Sequence, residues 1–169
     1  MTSFWRCYGL ETVCLRYFNV FGPRQDPHSP YSGVLAKFIT QMLTGEQPVI
    51  FGDGKHSRDF TYIENVMQAN LLACTAPVKD VVGRVFNASG WRIELNEMYW
   101  GLQKLTEYSP PAKYGPERQG DVKHSLADLS WAKKYVGYRP TVSFEEGLRQ
   151  TVEWYRTVEV GSRELIVNG

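Results

Sequence analysis

Arg24, Arg58 and Arg118 are the basic residues best placed to do chemistry, because each stands in a polar loop after an apolar run or a glycine turn. A guanidinium fork grips phosphate oxygens in pairs, so two converging arginines suit a diphosphate. Asp121, just beyond Arg118, is the residue type that accepts from two ribose hydroxyls. The alternative is that each arginine forms an ordinary surface ion pair with Asp53, Asp59 or Glu117. A fourth candidate lies near the start of the chain. There an apolar, β-favouring run, residues 12–18, stops at Asn19 and turns through Gly22 and Pro23 into a polar loop. A buried parallel strand ends this way, and ligands bind at that edge of an open α/β sheet. A core strand followed by a plain turn would look the same locally.

Other chemistries are poorly supported. His28, His56 and His124 share no metal-ligand spacing, and Cys7, Cys14 and Cys74 are odd in number. The cysteines read as free thiols in a reducing cytoplasm, and no metal site is expected. No Gly-x-Ser-x-Gly elbow, Walker loop or glycine-rich dinucleotide turn occurs. A net charge of +1 without basic clustering gives no reason to expect nucleic acid. No apolar run is long enough for a membrane span, and the first residues do not form a signal peptide.

The elements that must hold these residues follow from periodicity. Residues 1–9 read as the end of a helix closed at Gly9, which suggests that a segment upstream is missing. The loop 26–33 leads into an amphipathic helix over 34–43, with Val34, Leu35, Phe38, Ile39, Met42 and Leu43 on its apolar face and Gly45 closing it. Short strands are expected at 48–51 and 59–62, then a helix over 63–75 that buries Val66, Ala69, Asn70, Leu72 and Ala73. Residues 77–83 read as a linker, 84–88 as a second core strand, 95–107 as a helix, and 110–125 as a long surface stretch. Asp128 caps a helix over 129–136, and the Ser143–Glu146 capping box opens a last helix to about 157. The rest of the tail shows no period. With 43% hydrophobic and 22% charged residues in 169, the chain has the composition of one soluble mixed α/β domain.

Four stretches together resemble the extended short-chain dehydrogenase/reductases that act on nucleotide sugars, the NAD-dependent epimerase/dehydratase group. Leu15-Arg16-Tyr17-Phe18-Asn19-Val20-Phe21-Gly22-Pro23-Arg24-Gln25 is similar to the segment after their catalytic Tyr-x-x-x-Lys helix. Gly52-Asp53-Gly54 with Ser57-Arg58-Asp59-Phe60 is similar to their Gly-Asp-Gly…Arg-Asp-Phe motif. Gly120-Asp121-Val122-Lys123-His124-Ser125-Leu126-Ala127-Asp128 resembles their Gly-Asp-Val-x-x-Ser-x-Ala-Asp signature. Gly137-Tyr138-Arg139-Pro140 with Glu146-Gly147-Leu148 resembles their closing helix. Within the group the likeness is greatest to the carboxyl-terminal half of UDP-N-acetylglucosamine 4-epimerases. UDP-glucose 4-epimerases and sugar-nucleotide dehydratases are close alternatives.

The resemblance implies an α/β fold: the last strands of a Rossmann-like parallel sheet plus a small substrate-binding part, covering residues 1–156, with 157–169 as a tail. It implies that Asn19 touches substrate, that Tyr17 and Val20 lie beside a nicotinamide, and that Gly33 and Val34 offer backbone amides to a diphosphate at a helix start. Val49 would line the uracil slot, with Phe51 in place of a polar residue of some relatives. Arg58 and Arg118 would clamp the diphosphate, Asp121 would hold the ribose, and Gln25 and Ser125 would border the sugar's 2-position. The glycine-rich NAD loop and the Tyr-x-x-x-Lys pair are not in this sequence. The chain is therefore expected to bind a UDP-sugar without a catalytic residue of its own and without binding NAD alone. It is also expected to self-associate through a bare sheet edge. A non-catalytic self-associating module and a functionless remnant are the competing readings.

Overall fold

The computed structural model describes residues 1–29 and 32–167, with 159–167 as backbone only; Pro30 and Tyr31 of the predicted loop, and 168–169 of the tail, lie outside the described residues. Seven strands are described: β1 Cys14–Tyr17, β2 Val20–Phe21, β3 Val49–Phe51, β4 Ser57–Tyr62, β5 Val85–Ala88, β6 Trp91–Glu94 and β7 Lys113–Gly115. The helices are α1 Thr2–Tyr8, α2 Val34–Thr44, α3 Ile63–Thr75, α4 Val78–Val81, α5 Leu95–Thr106 and α6 Phe144–Val167, with a π-helical turn at Ala132–Val136. β1 and β5 pair in parallel from Cys14 opposite Val85 to Tyr17 opposite Ala88. β3 and β7 pair in parallel, and the third sheet has the order β2-β4-β6.

Several expectations need correction. The strand over 12–18 is shorter, and the supposed linker 77–83 contains α4, which follows Pro77 and buries Val81. The surface stretch 110–125 contains β7, and a strand follows Ser89-Gly90 where none was expected. The last helix does not stop near 157 but continues to Val167. Asn70 is exposed, whereas Leu72 is half-buried against the core; Asn65 is fully buried beside Val66, Ala69 and Ala73 on α3.

The chain divides into two compact units. The first comprises Met1–Val20, Asp59–Trp91 and Leu126–Phe144. Its core gathers Ala69, Ala73, Val81, Phe86, Ala88, Val136 and Tyr138, against which Val13 and Leu15 of β1 pack. Asp128 does not cap the helical turn, whose N-cap is Trp131 without a side-chain bond; its carboxylate accepts the Ser130 amide at 2.8 Å just before it. β5 is the partner of β1 in its sheet. Along β1 runs a groove of about 330 Å³, lined by Val13, Leu15, Tyr17, Ala73, Cys74 and Val81 among others.

The second unit comprises Phe21–Arg58, Arg92–Ser125 and the residues from Glu145 on. α2 and α5 pack together through Leu35, Phe38, Ile39 and Met42 against Met98, Tyr99 and Leu102, with Phe38 and Tyr99 edge to face at 6.2 Å. Each such buried side chain contributes about 1.5–3 kcal/mol relative to exposure. α2 begins at Gly33 and ends at Gly45, which takes the left-handed conformation with its amide on Gln41 and Met42 carbonyls.

Candidate nucleotide-sugar site

In the second unit the site grows from β4 and the segment 116–125. Ser57 donates its amide to the Lys123 carbonyl at 2.9 Å and accepts the Ser125 amide at 3.2 Å, so residues 123–125 run beside the start of β4. Arg58 completes this attachment. Its Nη1 donates to the carbonyls of Ser57 and Lys123, and its Nη2 to Asp121 Oδ1 at 2.5 Å. Two of the residues expected to meet nucleotide, Arg58 and Asp121, are thus already in contact. The ion pair foreseen for Arg58 forms, but its partner is Asp121 rather than Asp53, Asp59 or Glu117.

Arg118 is exposed and lies over the Phe51 ring, its guanidinium carbon 4.0 Å from the ring centroid. Phe51 and Val49 share one face of β3, as strand alternation requires. Gly115 lets them lie there: a Cβ at that position would sit 3.2 Å from both side chains. Val49 is therefore half-buried beside an aromatic face with an arginine on it.

From sequence, His56 is weighed only as a metal ligand. It is 3% exposed, with Nε2 3.5 Å from Glu117 Oε1 and Nδ1 3.8 Å from Asp121 Oδ2. That Nδ1 has no hydrogen-bond partner among the described residues. Residues two apart in extended backbone share a face, so the His56/Arg58 spacing was the signal that both meet one carboxylate. Ser57 faces the other way. Arg92 Nε donates to its hydroxyl at 2.8 Å, and His124 Nδ1 lies 3.0 Å from the same oxygen. An arginine cannot accept, so the Ser57 hydroxyl is free to donate to His124. Asp53 is held below the usual carboxylate range, chiefly by the Lys55 amide.

Ser125 is half-buried and its hydroxyl has no hydrogen-bond partner among the described residues. Gln25 is half-buried as well, and its carbonyl accepts from the Tyr155 phenol on α6. Gly33 is exposed, and a Cβ there would meet nothing within 4 Å; with Val34 it forms the open start of α2. Arg24 is exposed and has φ of 67°.

The first unit holds Tyr17, Asn19 and Val20. Asn19 has φ of 31°, a left-handed conformation that non-glycine residues keep only when the surroundings force it. The constraints are visible: Asn19 Nδ2 donates to the Asp59 carbonyl at 2.7 Å, and the Thr61 hydroxyl and amide bond to the Phe18 and Asn19 carbonyls. Asp59 is 2% exposed, and its carboxylate accepts the Ala127 amide, tying the end of the Gly120–Asp128 segment to the same place. Tyr17 is 39% exposed and donates its hydroxyl to Asn70 Oδ1 at 2.9 Å, while Val20 is half-buried in β2. The glycine-rich turn that would cradle a dinucleotide is absent from the sequence.

Known proteins share this fold. The chain is 43% identical to the structure of a UDP-glucose 4-epimerase from Thermotoga maritima determined with UDP-glucose, with a TM-score of 0.85 over 92% of this chain and 49% of that one. It is 44% identical to a UDP-N-acetylglucosamine 4-epimerase from Methanobrevibacter ruminantium in complex with UDP-N-acetylmuramic acid, with a TM-score of 0.81 over 92% and 49% of the two chains. A putative UDP-glucose 4-epimerase of Methanocaldococcus jannaschii is 34% identical over 151 residues, which are 89% of this chain and 48% of the relative. This chain therefore spans about half the length of the relatives it matches. The family model for NAD dependent epimerases and dehydratases matches residues 1–89, more than half of the chain. The fold is the Rossmann-like epimerase fold, and the chain belongs to the NAD dependent epimerase/dehydratase family.

Proposed function

We infer that this chain is the nucleotide-sugar-binding, carboxyl-terminal half of a UDP-sugar 4-epimerase, acting on a UDP-N-acetylhexosamine or UDP-hexose. The observation that carries the reading is Arg58 gripping Asp121 beside the stacked Arg118, three groups of the right types for a diphosphate and a ribose. Asn19 contacts the sugar, Gln25 and Ser125 border its 2-position, Val49 borders the base, and Gly33 and Val34 offer amides at the start of α2. Relatives determined with NAD support a nicotinamide near Tyr17 and Val20 in a complete enzyme. This chain alone does not bind NAD in our reading, since it carries neither the phosphate turn nor the Tyr-x-x-x-Lys acid/base unit, and it does not turn over. The free cysteines fit a cytoplasmic setting, and no helix among the described residues is long and apolar enough to cross a membrane. Calorimetry with UDP, UDP-glucose and UDP-N-acetylglucosamine tests the binding. Heat with UDP is expected; no heat and no thermal shift would leave only a folded remnant. Conversion of either sugar by the pure chain with added NAD would overturn the inactive part.

A second reading rests on a different observation, the groove along β1 and the apolar side chains of α1. An open apolar strand edge recruits another strand, and a second copy of this chain would pair its own β1 there. Light scattering across a concentration series is expected to show association, and a clean monomer at high concentration would sink it.

A further inference from the structure

Around His56 stand two carboxylates, each paired with a cation. Lys123 Nζ lies 3.3 Å from Glu117, Glu117 lies 3.5 Å from one imidazole nitrogen, Asp121 lies 3.8 Å from the other, and Arg58 closes the row on Asp121. Asp53, on the preceding turn, interacts electrostatically with His56 and with Lys55. In the free chain Lys123 and Arg58 balance Glu117 and Asp121. The cluster is not fully satisfied, because Nδ1 is buried without a hydrogen bond. Buried polar nitrogens without partners are rare, and this one points toward the carboxylate expected to meet ribose.

A nucleoside diphosphate sugar disturbs that balance. Its phosphates compete for the Arg58 fork, which offers charge-assisted bidentate bonds, and they bring negative charge to a place that already holds two carboxylates. Asp121 then loses its cation at the moment it must be held still for the ribose. Imidazole can supply the missing charge near neutral pH, and once protonated both its nitrogens donate.

We propose that His56 is the positioning residue for Asp121, and that binding of a nucleoside diphosphate sugar is coupled to uptake of a proton by its imidazole. The proposal deepens the nucleotide-sugar reading above and rests on it. His56 does not touch the ligand; it replaces Arg58 as the partner of Asp121 when Arg58 turns to phosphate.

UDP-glucose is the probe for the test, since both its phosphates are esterified. Calorimetry of the full chain in two buffers of different ionisation heat counts the protons exchanged, and a series across pH 5.5–8 gives the affinity. Net proton uptake is expected, with affinity falling as pH rises by up to about tenfold per unit. His56→Gln is expected to abolish the uptake and flatten the profile while binding persists more weakly. Glu117→Gln, at an exposed side chain, keeps His56 in place and is expected to reduce the uptake, which covers the case in which His56→Gln fails to fold. Binding with equal heats in both buffers, or undiminished uptake in the His56 variant or, should that variant not fold, in Glu117→Gln, overturns this proposal alone. No binding of UDP-glucose at any pH overturns the nucleotide-sugar reading and this proposal together.

Discussion

Arg118 rests its guanidinium on the Phe51 ring, 4.0 Å from the centroid. A cation–π contact of this kind stabilises by about 0.5–2 kcal/mol and keeps the fork planar against an apolar wall. Lysine carries the charge but neither the plane nor the fork. Arg118→Ala and Arg118→Lys are both expected to weaken UDP-glucose binding about tenfold or more, the range of a lost charge-assisted hydrogen bond. Phe51→Leu should cost only a few-fold. Calorimetric affinities decide it, and a lysine variant that binds like the parent would refute the stacked role.

Asn65 makes a different kind of prediction. It is fully buried, its Oδ1 accepts the amides of Thr141 and Val142 at 2.9 and 3.0 Å, and its Nδ2 donates to the Val142 carbonyl at 2.9 Å. One side chain thus satisfies three backbone groups just ahead of α6. Asn65→Ala leaves them without partners and is expected to cost about 2–4 kcal/mol. For a chain of this size that lowers Tm by roughly 2–4 °C per kcal/mol, readable by thermal melts. A loss below about 1 kcal/mol would mean that water replaces the amide.

Asn65 also marks the limit of what the sequence makes legible. Strong periodicity locates α2, α3 and α5 to within a residue or two, because apolar positions at helical spacing decide which face is buried. It cannot say that an asparagine on that face is buried for its hydrogen bonds while Asn70, one turn on, is exposed. β7 was invisible for a related reason. Lys113-Tyr114-Gly115 has no apolar alternation, and its extension comes from pairing with β3 far away in sequence. At the site, Arg58 and Asp121 stood out by residue type. His56 did not, because its meaning depends on where the segment 116–125 folds back.

Two glycines separate folding from binding. A Cβ at Gly90 would lie 2.5 Å from the Phe60 carbonyl oxygen, a backbone atom that cannot rotate away. Gly90→Ala is expected to destabilise by about 1–3 kcal/mol, as overpacking does. At Gly33 nothing lies within 4 Å and φ is −66°, so alanine should leave stability within about 0.5 kcal/mol. UDP-glucose affinity should nevertheless fall in Gly33→Ala, because the new methyl stands where a diphosphate approaches the α2 amides. Equal affinity in parent and variant would remove Gly33 from the site.

Buried phenols set the alkaline limit of the fold. Burial pushes Tyr138 up to about 12, and burial followed by the nearby Asp26 carboxylate pushes Tyr155 up to about 12. Tyr138 donates to the Ser89 carbonyl at 2.8 Å and Tyr155 to the Gln25 carbonyl, so each is held as the neutral donor. Their ordinary value is 10.0, which the unfolded chain keeps. The sign follows: the stability that depends on the neutral phenols is complete below pH 10 and is lost as pH rises from about 10 to about 12. Denaturant midpoints measured at pH 9, 10 and 11 are expected to fall over that interval. Tyr155→Phe loses about 1 kcal/mol at neutral pH through its missing hydrogen bond but gives a shallower alkaline decline. The same decline in parent and variant would assign the alkaline transition to groups other than Tyr155.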